Sequence, residues 1–123
     1  MYNDGYFSDD TNKYSIKMMF DYIKINKPSK IKLNISELLF NLNWNSLKDN
    51  VKPIDILEDI KNKKYKNEVD RIKRADTTYP IIIDSNYNII DGVHRYMKHI
   101  LENKRKINVY IFNKSLMKKF IIH

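Results

Sequence analysis

The sequence has no cysteine, only two glycines and three prolines, and a single tryptophan. The lack of cysteine excludes disulfides, thiolate metal sites and sulfur nucleophiles. No apolar run approaches the length needed to cross a bilayer, and Met1-Tyr2-Asn3-Asp4-Gly5 carries no basic, apolar leader pattern. The expectation is a cytoplasmic protein with no membrane partner. At 123 residues a single domain is expected, long enough to bury a core without covalent staples.

What the chain has in excess is lysine. The formal net charge is +8, and clustered Lys and Arg can displace counterions from nucleic-acid phosphates. Lys outnumbers Arg, however, and the chain is also crowded with Asn and Ile, a combination that AT-rich coding produces by itself. Two readings therefore stand together: a solvated Lys surface with no specific partner, and a face that binds nucleic acid non-specifically. The same bias points to an AT-rich bacterium, a phage or a large DNA virus, with the host cytoplasm as location in the viral case.

Residues 1–12 are polar and irregular, with Ser8-Asp9-Asp10-Thr11 offering helix N-cap candidates. From Lys13 the spacing of Ile16, Met19, Phe20 and Ile23 predicts an amphipathic helix that ends at Asn26-Lys27-Pro28-Ser29. Lys30–Ile35 alternates like a half-buried strand, and Ser36 then caps a short helix through Phe40. Asn41–Ser46 breaks any period and reads as loop. Its Trp44 is expected to be a buried lid over the core edge, with stacking on a nucleic-acid base as the alternative. Pro53 opens a helix with Ile54, Ile56, Leu57 and Ile60 on its apolar face. A second helix over 65–74 turns Val69 and Ile72 inward and Glu68, Asp70, Arg71, Lys73 and Arg74 outward.

The wholly apolar run Ile81-Ile82-Ile83 predicts a buried central strand, with Asn88-Ile89-Ile90 as its hairpin partner. Hairpin geometry separates the two nearby acids. Strands rise about 3.3 Å per residue, so Asp84 at the turn and Asp91 at the far end lie roughly 10 Å or more apart and are no carboxylate pair. Asp76, Thr77 and Thr78 enter at the end from which Asp91 leaves, and are its expected companions. After Gly92 a helix turns Tyr96, Met97, Ile100 and Leu101 inward, and Ile107–Phe112 returns as a strand through this crossover. The tail from Lys114 to His123 docks on the core. The fold class expected is α+β, a small mixed sheet with helices packed on it.

The chemistry concentrates at Asp91-Gly92-Val93-His94-Arg95. At a helix N-terminus the unpaired N–H groups and the helix dipole favour an anion. Gly92 would let a ligand approach the backbone, and successive N–H groups of Gly92, Val93 and His94 would face it. Arg95 offers a planar fork to phosphate, and His94 a hydrogen bond or a proton-transfer group near neutral pH. Asp91 has two readings: the N-cap of this helix, or an acid that binds Mg2+ or polarises an acceptor hydroxyl. His94 and His99 are spaced poorly for joint ligation, so no zinc site is expected.

The run YPIIIDSNYNIIDGVHRYMKHILENKRKINVYIF, Tyr79 to Phe112, resembles the ParB/sulfiredoxin superfamily, with an apolar hairpin, an Asp-Gly-x-His-Arg turn, a helix and a closing strand. With Pro53-Ile54-Asp55-Ile56-Leu57 and Asp70-Arg71-Ile72 upstream, the resemblance covers about residues 30–112 and is to the small stand-alone members. It implies a domain over 30–113, preceded by a 1–29 extension carrying one amphipathic helix and followed by the 114–123 tail. In that superfamily the matching turn cradles ATP in sulfiredoxin and CTP in ParB, and serves phosphoryl transfer in free-serine kinases. By resemblance, Gly92, Val93, His94 and Arg95 would hold phosphates, with Asp76 and Thr77 alongside.

The departures are as informative. Val93 stands where sulfiredoxin needs its cysteine, so sulfinic acid reduction is not expected. About eleven residues follow Phe112, too few for the helix-turn-helix and dimerisation domains of a partition protein. No cluster of carboxylates suggests a nuclease. The function expected is a nucleotide-binding protein, a phosphotransferase or hydrolase using ATP, ADP or CTP with Mg2+. Asp91 and His94 would be catalytic, with Glu68 or Asp76 as other acids able to handle metal or proton. The alternative is a non-catalytic module that binds DNA or a protein.

Overall fold

The apolar run at Ile81 forms the centre of the computed structural model, which describes residues 5–44 and 46–123. Readings that fall on residues 1–4 or on Asn45 lie outside the described residues. In chain order the elements are β1 (Tyr6–Ser8), β2 (Lys13–Ser15), α1 (Ile16–Asn26), β3 (Ile31–Asn34), a 3-10 helix over Ile35–Asn43, α2 (Pro53–Glu58), α3 (Lys66–Arg74), β4 (Ile81–Asp84), β5 (Ile89–Asp91), α4 (Val93–Leu101), β6 (Lys106–Phe112), α5 (Lys114–Met117) and β7 (Ile121–Ile122). The main sheet has the order β3-β6-β4-β5, and β1-β2-β7 form a second, smaller one.

Alternation along the two central strands divides the core. Ile81 and Ile83 of β4 join Ile107 and Val109 of β6 on one face, packed with Tyr96 of α4 and with Ile35, Leu38 and Leu42 of the 3-10 helix. Ile82 and Phe112 point the other way, onto Ile16 and Met19 of α1 and Met117 and Phe120 of the tail. Strand side chains alternate with period two, so both faces of a central strand are buried only if helices cover both. A third cluster, Ile56, Val69, Ile72 and Met97, fixes α2 and α3 against the far side of α4. The chain is thus an α+β domain with a mixed sheet: β4 runs parallel to β6 and antiparallel to β5. No helix among the described residues is long and apolar enough to cross a membrane.

Several local expectations change. Residues 6–8 and 13–15 are paired strands, with Phe7 opposite Tyr14. The first helix therefore starts at Ile16, where Ser15 Oγ accepts from Met18 N–H at 3.2 Å. None of Ser8–Thr11 caps it. Asp9 instead accepts from the N–H groups of Thr11 and Asn12 and from the Tyr14 hydroxyl. Phe20 is 39% exposed in spite of its place in the apolar stripe. Asn34, not Ser36, stands at the cap of the 3-10 helix, its N–H donating to Glu37. That helix runs on to Asn43, so the first half of the expected loop is helical, and Leu101 lies 44% exposed instead of inward.

Asn41 explains why the 3-10 helix continues. It is 5% exposed, and its amide donates to Leu38 O and to Tyr87 O, at 3.0 and 2.9 Å, while accepting from Ile89 N–H at 2.9 Å. One side chain thereby ties the helix to the turn of the β4–β5 hairpin and to the first residue of β5. Asn41→Ala strands buried backbone groups, each costing about 1–3 kcal/mol. A loss of about 2–4 kcal/mol is expected in urea unfolding.

His99 on α4 gives a pH dependence. Its Nδ1 is buried with no hydrogen-bond partner among the described residues. Burial pushes its pKa down, with Glu102 opposing and Lys104 assisting the shift. Because the folded form resists protonation, stability is complete above the unfolded value of about 6.5 and falls as pH drops below it. His99→Gln should flatten the difference in melting temperature between pH 7.5 and pH 5.5 relative to the unmodified protein.

Candidate functional site

The β5–α4 junction is built around a left-handed residue. Gly92, the helix N-cap, has φ of 104°, a conformation that a side chain strongly disfavours. Space forbids a side chain as well: a Cβ would lie 2.6 Å from Ile81 Cγ2 and 3.0 Å from Arg95 Nη1. The glycine is thus demanded by chain direction and by the neighbouring core, independently of any ligand. Asp91 is not the N-cap. It ends β5, is 7% exposed, and its Oδ2 accepts from Arg95 Nη2 at 3.1 Å. Arg95 Nη1 donates to Pro80 O at 3.0 Å. The fork expected to face a phosphate therefore joins the β5–α4 turn to the start of β4. The first intrahelical bond of α4 runs from Tyr96 N–H to Gly92 O at 2.9 Å, so the N–H groups of Val93, His94 and Arg95 lie ahead of it.

His94 has a partner that hydrophobic periodicity concealed. Its Nε2 donates to Glu68 Oε2 of α3 at 2.6 Å, with the two side chains 19% and 14% exposed. Arg71 Nη1 lies 3.8 Å from the other Glu68 oxygen. The sequence assigns Glu68 to the solvent face of α3, yet the packing of α3 on α4 turns it inward. A signal was present: Glu68 precedes the buried Val69 and stands one turn before the buried Ile72, at the margin of the apolar stripe. With the carboxylate as acceptor, the neutral ring is held in the tautomer that carries its proton on Nε2, with the lone pair on Nδ1.

These groups share a cleft of about 1200 Å³, larger than a typical small-ligand site. Asp91 to Arg95, Glu68 and Arg71 form one side, and Asp9, Asp10, Trp44 and Lys48 contribute from distant parts of the chain. Its charge is mixed. Asp9 is held below the usual carboxylate range, first by the Asn12 N–H and then by the Tyr14 hydroxyl and the Thr11 N–H. Trp44 is 55% exposed at this cleft, which overturns its expected burial as a lid.

Asp76 and Thr77 are not brought into the cleft lining. Asp76 accepts from the hydroxyl and N–H of Thr78 at 2.6 and 2.9 Å, and these bonds lower its pKa. Asp84 is bound to Asn86 and Asn88 in the hairpin turn, and a register shift sets Asp91 opposite Ile82, two residues from Asp84, a shorter stretch of strand than expected. Among the described residues no group of three or more His, Asp or Glu side chains is arranged to hold a metal ion.

Gly92→Ala should be destabilising by about 2 kcal/mol or more, since left-handed backbone costs about 1–2 kcal/mol for a side-chain-bearing residue and the buried Ile81 has little room to retreat. Thermal unfolding measures it. Compared with family models, with curated proteins and with solved structures, the chain matches none.

Proposed function

We propose that the cleft binds a nucleotide and supports phosphoryl transfer or nucleotide hydrolysis, with His94 as the proton-transfer group and Glu68 as its orienting partner. The observation that carries this reading is the 2.6 Å bond between His94 and Glu68 on the cleft wall at the start of α4. A carboxylate that accepts from one imidazole nitrogen holds the ring in a single tautomer and leaves the other nitrogen to take a proton. A water or an acceptor hydroxyl at Nδ1 would be activated for attack on a terminal phosphoryl group. The resemblance of the Asp91–Arg95 turn to the ParB/sulfiredoxin superfamily supports the same ligand class.

Phosphate contacts are assigned to the leading N–H groups of α4 and to Arg71 and Lys48, with Arg95 holding the turn in shape. Asp9, Asp10, Glu68 and Asp91 place negative charge in the same cleft. A magnesium–nucleotide complex, whose cation would offset that negative charge, suits this mixture better than a bare polyanion. Asp91 then acts by fixing Arg95, not as the base.

Calorimetric titration with ATP, ADP and CTP, each with and without Mg2+, tests binding, and phosphate release or transfer tests turnover. His94→Ala and Glu68→Gln should each lower turnover by about 10²–10⁴-fold while changing nucleotide affinity far less. Absence of nucleotide binding by the unmodified protein would sink the proposal. DNA binding that is steep in salt and indifferent to His94→Ala, with no nucleotide binding, would instead identify a non-catalytic module.

A further inference from the structure

The cleft has an aromatic wall that the phosphate and proton chemistry leaves unused. Trp44 follows directly on the 3-10 helix and is 55% exposed, unusual for the largest apolar side chain. It is not exposed for want of order nearby. Leu42 and Leu47 on either side are buried in two different clusters. Asn41, three residues earlier, is bonded to Tyr87 in the turn of the β4–β5 hairpin and to Ile89 of β5. Trp44 N–H donates to Asn41 O at 3.4 Å, and Trp44 O accepts from Ser46 N–H at 2.8 Å.

The backbone is therefore held while the indole faces the cleft shared with His94, Glu68 and Arg71. The other exposed aromatic there, Tyr6, already carries Lys13 Nζ 4.5 Å above its ring. Among the described residues no ring or cation stacks on Trp44.

We infer that Trp44 is the base-stacking wall of the site, an inference that rests on the nucleotide reading above. A flat, electron-rich ring beside a polar floor suits a ligand with one flat apolar end and one charged end, as a nucleoside triphosphate has. Every base offers a π face, so stacking on indole discriminates a nucleotide from bare polyphosphate far more than one base from another. Trp44 thus sets the requirement for a base, and the α3–α4 side of the cleft sets the requirement for phosphate. Asn41 ties the segment that ends in Trp44 to the hairpin that leads into α4.

The test compares ATP, CTP and tripolyphosphate, all with Mg2+, by calorimetry on the unmodified protein, Trp44→Ala and Trp44→Phe. Because Trp44 is the sole tryptophan, its emission also reports directly on the unmodified protein. ATP and CTP should quench that emission saturably, and tripolyphosphate should bind with little quenching. Trp44→Ala should weaken ATP and CTP alike by about tenfold or more, from about 1–3 kcal/mol per stacked base. Tripolyphosphate affinity should stay unchanged, which also certifies that the variant is folded, and Trp44→Phe should restore most of the loss. Equal affinity of Trp44→Ala and the unmodified protein for ATP would overturn the stacking inference and leave the nucleotide reading intact. If the unmodified protein binds neither nucleotides nor tripolyphosphate, both fall together.

Discussion

The parallel pairing of β4 with β6 is the constraint on which the rest of the molecule depends. Two parallel neighbours cannot be joined by a tight turn, so the chain must leave the sheet, cross one face and re-enter at the same end. It does so through β5 and α4. The reversal from β5 into α4 is compressed into Gly92, whose positive φ and absent side chain let the helix start directly against Ile81. Everything chemically interesting sits at that reversal. Arg95 clamps it by bonding both Asp91 and the carbonyl of Pro80, and His94 is left on the first turn of the helix, facing α3.

That arrangement divides labour within a five-residue motif. Asp91, Gly92 and Arg95 serve geometry: they end a strand, reverse the chain and lock the reversal. His94 is left out of that lock: its partner Glu68 comes from another helix, and both residues line the cleft. A motif that reads as four equivalent ligand contacts is better understood as a scaffold that aims one side chain. Asn41 likewise serves geometry: its bonds to the hairpin hold the helical segment that leads into Trp44, another residue of the cleft lining.

How far each part was legible follows from the range of the interaction. The strands around Ile81 and Ile107, the helix over 66–74 and the crossover at α4 were legible because hydrophobic period is a property of neighbours. The start of α1 was misread because Lys13 to Ser15 pairs with strands at both ends of the described chain, with Phe7 opposite Tyr14 and Ile121 opposite Tyr14 on the other side. That pairing claims residues 13–15, and α1 begins at Ile16, the first residue of the apolar stripe. Phe20 and Leu101 occupy apolar stripe positions yet stay 39% and 44% exposed.

The sequence by itself determined the α+β class, the buried central strand and the glycine-led turn at Asp91 to Arg95. Each rests on local spacing, backbone geometry or side-chain chemistry. Only the tertiary structure decided that Glu68 is the partner of His94, that Arg95 is occupied with the turn, that Asp76 and Thr77 stay off the cleft lining, and that Trp44 stands at its edge. These depend on how α3 packs on α4 and on where the 3-10 helix is tied to the hairpin. A charged residue at the margin of an apolar stripe looks solvated in sequence, and only the neighbouring helix decides whether it meets water or a histidine.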